Sequence, residues 1–267
     1  MKNRTWFFLA SLLAAVTAGP WAAAQPFVIE TRFLGQPLSA AQKATVVAAT
    51  DRVSRLITSP YLPVNVDLPA NSCDQGIPRL KERFTHLVIF VTVKNLDEDL
   101  YGESGPCELH EDNYLPIYAS IFLNAQVTGD LPGVDLLDTM VHETLHALGV
   151  GTLWEADARV SLEGNTDEKN FIRKKGGMYY YTGPRAVAAY RKLGGKEQGI
   201  PLDPDRGHWA GDTVCSEIVS GSAGDYLGRV NPISALTLGA LEDLGYTVNP
   251  KAADPFRLPT KQCPEGD

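Results

Sequence analysis

The segment His142-Glu143-Thr144-Leu145-His146 restricts the fold of this chain more than any other. Residues four apart share one face of an α-helix, so the two histidines project side by side from consecutive turns only if the segment is helical. Imidazoles so placed can grip one zinc ion, and Glu143 between them is near enough to act on a water at the metal. A zinc site that catalyses uses three protein ligands and keeps a fourth position open. The fold must therefore bring a third ligand to this helix from elsewhere in the chain.

The flanking residues support a helix here. Asp135 can serve as its N-cap, and Leu136, Leu137, Met140, Val141, Leu145 and Leu148 recur at helical spacing before Gly149 and Gly151 end it. Upstream, Phe27–Phe33 alternates like a strand, and Ser39 caps a helix over about 40–57. Pro60–Pro78 is rich in turns, and the nearly continuous apolar run His86–Val93 reads as a buried strand. Asp97–Asp112, acidic and containing glycine, reads as a loop, and Pro116–Leu123 as a further strand. Residues 152–267 are richer in Gly, Pro and Tyr, with helices expected near Pro184–Leu193 and Ile233–Leu244. This order predicts an α+β fold: a mixed N-terminal sheet with the motif helix, over about 25–151, and a loop-rich, mostly helical second part over about 152–267. No linker separates the two, so they are expected to be subdomains facing a cleft.

Residues 1–24 have a different character. Lys2 and Arg4, the apolar run Trp6–Val16 and the small residues Ala22-Ala23-Ala24 follow the order of a secretory signal peptide, and the run is short for a membrane span. An uncleaved anchor is the alternative. Export to a periplasm or the cell exterior is the expectation, with no integral membrane anchor in the mature chain. Loss of the two cations takes the formal charge from −8 to −10, which gives the mature chain no electrostatic reason to bind nucleic acid or an anionic membrane. The four cysteines, an even number in an exported chain, suggest two disulfides. Cys73–Cys107 and Cys215–Cys263 are favoured because each closes a loop within its own half. Thiolate ligation of zinc is disfavoured because no C-x-x-C spacing occurs.

With five histidines in the chain, the search for a third ligand is short. His86 opens an apolar run and reads as a strand-end residue, while His110 lies in the acidic stretch and reads as solvated. His208, in Gly207-His208-Trp209, remains. Glu155, Glu168 and Glu217 are the alternatives if the site uses two histidines and a glutamate.

The stretch His142-Glu-Thr-Leu-His-Ala-Leu-Gly-Val-Gly-Thr-Leu-Trp154 resembles the leishmanolysin family of metzincin peptidases, particularly its bacterial secreted members. Most metzincins place the third histidine three residues after the turn glycine, where this chain has Thr152. The leishmanolysin family instead inserts a long segment, which here would run from Gly151 to Gly207 and end at His208-Trp209. Tyr181–Tyr190 and Asn231–Tyr246 resemble two further helical segments of those proteins. The likeness covers about 130–250 closely and 26–125 through the order of elements. One departure concerns the methionine that packs beneath the metal in that family: Glu217-Ile218-Val219-Ser220 stands at the corresponding place, with Val219 as a smaller apolar floor.

The resemblance implies a metzincin-like, secreted zinc metalloendopeptidase, and the chain is expected to be a monomer. His142, His146 and His208 would bind Zn²⁺, and Glu143 would be the general base that activates a water and returns the proton to the leaving amine. A peptide or protein substrate would lie extended along the strand near Pro116–Leu123 and add itself to a sheet edge. Because of Val219, a catalytically weak or inactive zinc-binding module that recognises peptides is the alternative. Trp154 and Trp209, beside the ligand segments, are expected to be packing residues, as are the tyrosines Tyr179–Tyr181.

Overall fold

The computed structural model describes residues 26–35, 38–97, 100–129, 131–222, 226–261 and 263. The expected leader, 1–24, lies outside the described residues. The N-terminal half is built on a four-stranded sheet of β1 (Ile29–Gly35), β4 (Leu87–Lys94), β5 (Gly102–Leu109) and β6 (Pro116–Asn124), in the order β1-β4-β6-β5. β1, β4 and β6 run parallel, whereas β5 runs antiparallel to β6 and forms an edge. A short antiparallel pair, β2 (Val64–Leu68) and β3 (Leu80–Phe84), precedes β4. Ser39 caps α1 (Ala40–Ser54) through a full capping box with Gln42. The mixed sheet and helices bear out the α+β class.

Two strands of this half depart from the expectation. The stretch Asp97–Asp112 is not simply a loop, because it contains β5. Its Gly105, Pro106 and charged residues mask the strand pattern, and the register shifts around Pro106 and Glu108 break the alternation. Conversely, β6 is not available as an edge. It inserts between β4 and β5, and all nine of its residues are buried.

The motif helix, α3 (Gly133–Ala147), follows the short α2 (Ala125–Thr128) and packs on α1, β5 and β6. It starts one turn earlier than Asp135 would place it, with Pro132 as N-cap. Asp135 lies in the first turn, where a carboxylate favours the helix macrodipole, and accepts a hydrogen bond from the Gly228 amide at 2.6 Å. Leu136, Met140, Val141 and Leu145 are fully buried, and Gly149 (φ +103°) turns the chain out of the helix.

The second half is less helical than expected. It holds a three-stranded antiparallel sheet, β7 (Ile172–Lys175), β8 (Met178–Tyr181) and β9 (Ile200–Leu202), with α4 (Pro184–Lys192), α5 (Gly211–Val214) and α6 (Ala235–Leu244). Tyr179–Tyr181 form most of β8, with Tyr181 fully buried as packing. α4 and α6 approach so closely that a Cβ at Gly239 would meet the Ala186 backbone at 2.6 Å. Asp243 of α6 accepts the Arg185 and Ala186 amides at the start of α4, which joins the two helices electrostatically.

One continuous hydrophobic core runs through both halves. The chain also returns to the first half at several points: Asn249 N–H donates to Leu56 O, Tyr246 Oη to Leu148 O, and Arg52 pairs with Asp254. Both favoured disulfides are formed: Cys73–Cys107 ties the 69–79 connection to β5, and Cys215–Cys263 ties the C-terminal segment to the end of α5. No described helix is long and apolar enough to cross a membrane.

Candidate metal centre

Three imidazoles meet in a cleft of about 810 Å³ lined by residues of both halves. The Nε2 atoms of His142 and His146 are 2.9 Å apart, those of His146 and His208 3.0 Å, and those of His142 and His208 3.2 Å. The i, i+4 spacing on α3 accounts for the first pair. His208 arrives on a segment held by bridges from Trp209 to Leu202 of β9 and to Ser220.

Each ring is oriented from behind. His142 Nδ1–H donates to Ile218 O at 2.6 Å, His146 Nδ1–H to Val150 O at 2.7 Å, and His208 Nδ1–H to Asp205 Oδ2 at 2.7 Å. All three partners are acceptors only, so in the neutral rings the proton sits on Nδ1 and the Nε2 lone pair faces inward. Three converging lone pairs repel unless a cation lies among them. Protonation is a poor remedy: burial, helped by the charge of His208, holds His142 down to about 4, and burial pushes His146 well below the usual imidazole range. This donor set, neutral nitrogens with acceptors behind them, suits a divalent metal ion. Among the described residues the three histidines form a group able to hold a metal ion.

The other candidates lie elsewhere. His86, at the strand end as expected, interacts through Nε2 with Glu30. His110 is not solvated but buried against the Tyr61 ring. Thr152 supplies no ligand and instead donates from Oγ1 to His146 O at 2.7 Å. Glu155 pairs with Arg206.

Glu217 is fully buried and is a brace rather than a ligand. Oε1 accepts from Ser234 N, Ser234 Oγ and Thr237 Oγ1, and Oε2 accepts from Val219 N at 2.7 Å. It thereby joins the start of α6 to the turn whose Ile218 carbonyl holds His142. Val219 is fully buried beside that carbonyl.

Glu143 is buried, and its carboxyl is pushed up to about 7 by burial, opposed by a hydrogen bond from Ser104 and by the charge of His208. A carboxyl balanced near neutrality in a cleft is suited to exchanging protons. Asp205 is held down to about 2, chiefly by its bond to His208. The indoles of Trp154 and Trp209 pack 4.6 Å apart, both fully buried, and so join the segment after α3 to the segment carrying His208. Gly151 (φ +82°) lies where these segments converge: a Cβ there would press on the Gly207 carbonyl and on His146.

Sequence reasoning missed Ser104, Asp205 and the bracing role of Glu217. The two elements of the motif that depend on helical spacing, His142 and His146, were the easiest to anticipate. Asp205 had a weak signal in its position three residues before His208. Ser104 had none, because Gly105, Pro106 and the register shifts of β5 hide the alternation of its strand. No family model matches the chain, and no curated protein sequence matches it.

Proposed function

We propose that this chain is an exported zinc-dependent endopeptidase of metzincin type, resembling the leishmanolysins, with Glu143 as general base. The observation that supports this best is the triangle of Nε2 lone pairs beside a buried carboxylate. His142, His146 and His208 would hold Zn²⁺, which when bound supplies Lewis acidity towards a carbonyl oxygen and a water. Glu143 takes a proton from that water at its carboxylate, holds it through the addition step, and gives it to the nitrogen of the departing amine.

The substrate backbone adds to the outer edge of β5, the strand beside the cleft, as an extra strand. Edge-strand amides and carbonyls then fix the scissile bond relative to Glu143. Glu103, Asp135, Asp138, Asp203 and Asp205 line the cleft, and among the described residues no lysine or arginine does. Peptides carrying clustered acids are disfavoured by that field.

The test compares cleavage of a denatured protein by the zinc-loaded chain, the chelated chain and Glu143→Gln, with zinc measured in each. Chelation should stop cleavage and zinc restore it. Glu143→Gln should keep one zinc per chain and lose at least about a hundredfold in kcat. Cleavage that survives chelation defeats the proposal. A wild-type chain that binds zinc and peptide yet cleaves nothing favours the peptide-recognising module instead.

A further inference from the structure

Glu143 is clasped from the edge strand. Ser104 Oγ lies 2.7 Å from Glu143 Oε2 and 2.8 Å from the main-chain oxygen of the same residue. Two residues earlier on β5, Gly102 leaves just enough room for the carboxyl group: an added Cβ would stand 2.8 Å from Oε1, 2.9 Å from Cγ and 3.0 Å from Cδ. Residues i and i+2 of a strand point to the same face, so these two positions bound Glu143 together. No described residue donates to Oε1.

We infer that Ser104 is a positioning residue for the Glu143 carboxylate, with Gly102 as the space that lets the carboxylate occupy its place. The inference rests on the reading of Glu143 as the base. Ser104 has one hydroxyl hydrogen and two acceptors within reach. Towards the carboxylate it donates to Oε2, which holds that oxygen and leaves Oε1 to take the proton. When the proton is on Oε1, Oε2 is still an acceptor, and Ser104 Oγ keeps donating to it. No proton leaves Ser104 in either state. The clasp therefore serves both states of the base without a buried group losing its partner.

Three variants test this, each with zinc content, kcat and KM measured on one peptide. Ser104→Ala should keep its zinc, lose about tenfold in kcat and leave KM within about twofold, the scale of one hydrogen bond to a charged group. Ser104→Thr, which keeps the hydroxyl, should recover most of that loss. Gly102→Ala should also lower kcat at full zinc, since the flexible end of Glu143 yields before the strand does.

Unchanged kcat in Ser104→Ala beside an inactive Glu143→Gln overturns the positioning role alone. A Ser104→Thr variant no better than Ser104→Ala does the same. If Glu143→Gln is as active as the wild type, the base assignment fails, and this inference fails with it.

Discussion

Gly151 and Gly164 share one φ, +82°, in opposite surroundings. At Gly164 an added Cβ meets nothing within 4 Å. At Gly151 it meets His146 Nδ1 at 2.8 Å and Cε1 at 2.9 Å, and lies closer still to the Gly207 carbonyl. Alanine at either site carries the left-handed strain of an L-residue, about 1–2 kcal/mol. Alanine at 151 adds crowding in a packed interior, about 1–3 kcal/mol more. Neither neighbour has room to retreat, because His146 is held by Val150 O on one side and faces two imidazoles on the other, and the Gly207 carbonyl directly precedes His208. The crowding should therefore displace a ligand as well as destabilise the fold. Urea unfolding of the chelated proteins should show Gly151→Ala less stable than Gly164→Ala by about 1–3 kcal/mol. Competition with a chromophoric chelator should show zinc affinity reduced at least about tenfold in Gly151→Ala and unchanged in Gly164→Ala. Equal losses of stability with equal zinc affinity would refute the claim that Gly151 is kept free of a side chain by the two ligand segments.

Two further outcomes follow from the same geometry. Burial holds His142 down to about 4, whereas an unfolded imidazole titrates near 6.5, so the unfolded chain takes up a proton first as pH falls. Stability of the chelated protein should accordingly be complete above about pH 6.5 and decline as pH falls towards 4, by about 3 kcal/mol for this residue alone; urea titrations across that range should show it, and a flat profile would contradict the burial argument. Glu217→Gln places an amide among four donors, so at least one hydrogen bond is lost. It should lose about 1–3 kcal/mol in urea unfolding and weaken zinc retention while keeping one zinc per chain, whereas His208→Ala should lose that zinc.

Local patterns were legible wherever a repeat or a cap produces them. Ser39 with Gln42, the apolar spacing of α3 and the turn at Gly149 depend on residues within a few positions of one another, and each formed with at most a shift of one turn. The disulfide pairing followed from loop economy within each half. β5 was illegible because its Gly105, Pro106 and bulge remove the alternation that marks a strand. β6 was legible as a strand but not as an interior one. A continuous apolar run shows that both faces are covered, but not which strands lie beside it. The position of His110 was hidden similarly: acidic neighbours in sequence gave no indication that its ring packs on Tyr61.

From its sequence alone this chain determines a helix that presents two imidazoles and a carboxylate on consecutive turns, since that outcome depends only on helical periodicity. The same residues suggest His208 as the third ligand but cannot bring it near, because 62 positions separate it from His146. Only the tertiary structure closes that gap, through the Trp154–Trp209 ring contact, the bridges of Trp209 and the space at Gly151. The tertiary structure also decides which acceptor stands behind each imidazole and places Ser104 against Glu143. The physical reason is the range of the interactions. Helical spacing is set by backbone hydrogen bonds four residues apart, whereas strand order and the supports behind a metal ligand are set by burying one shared core.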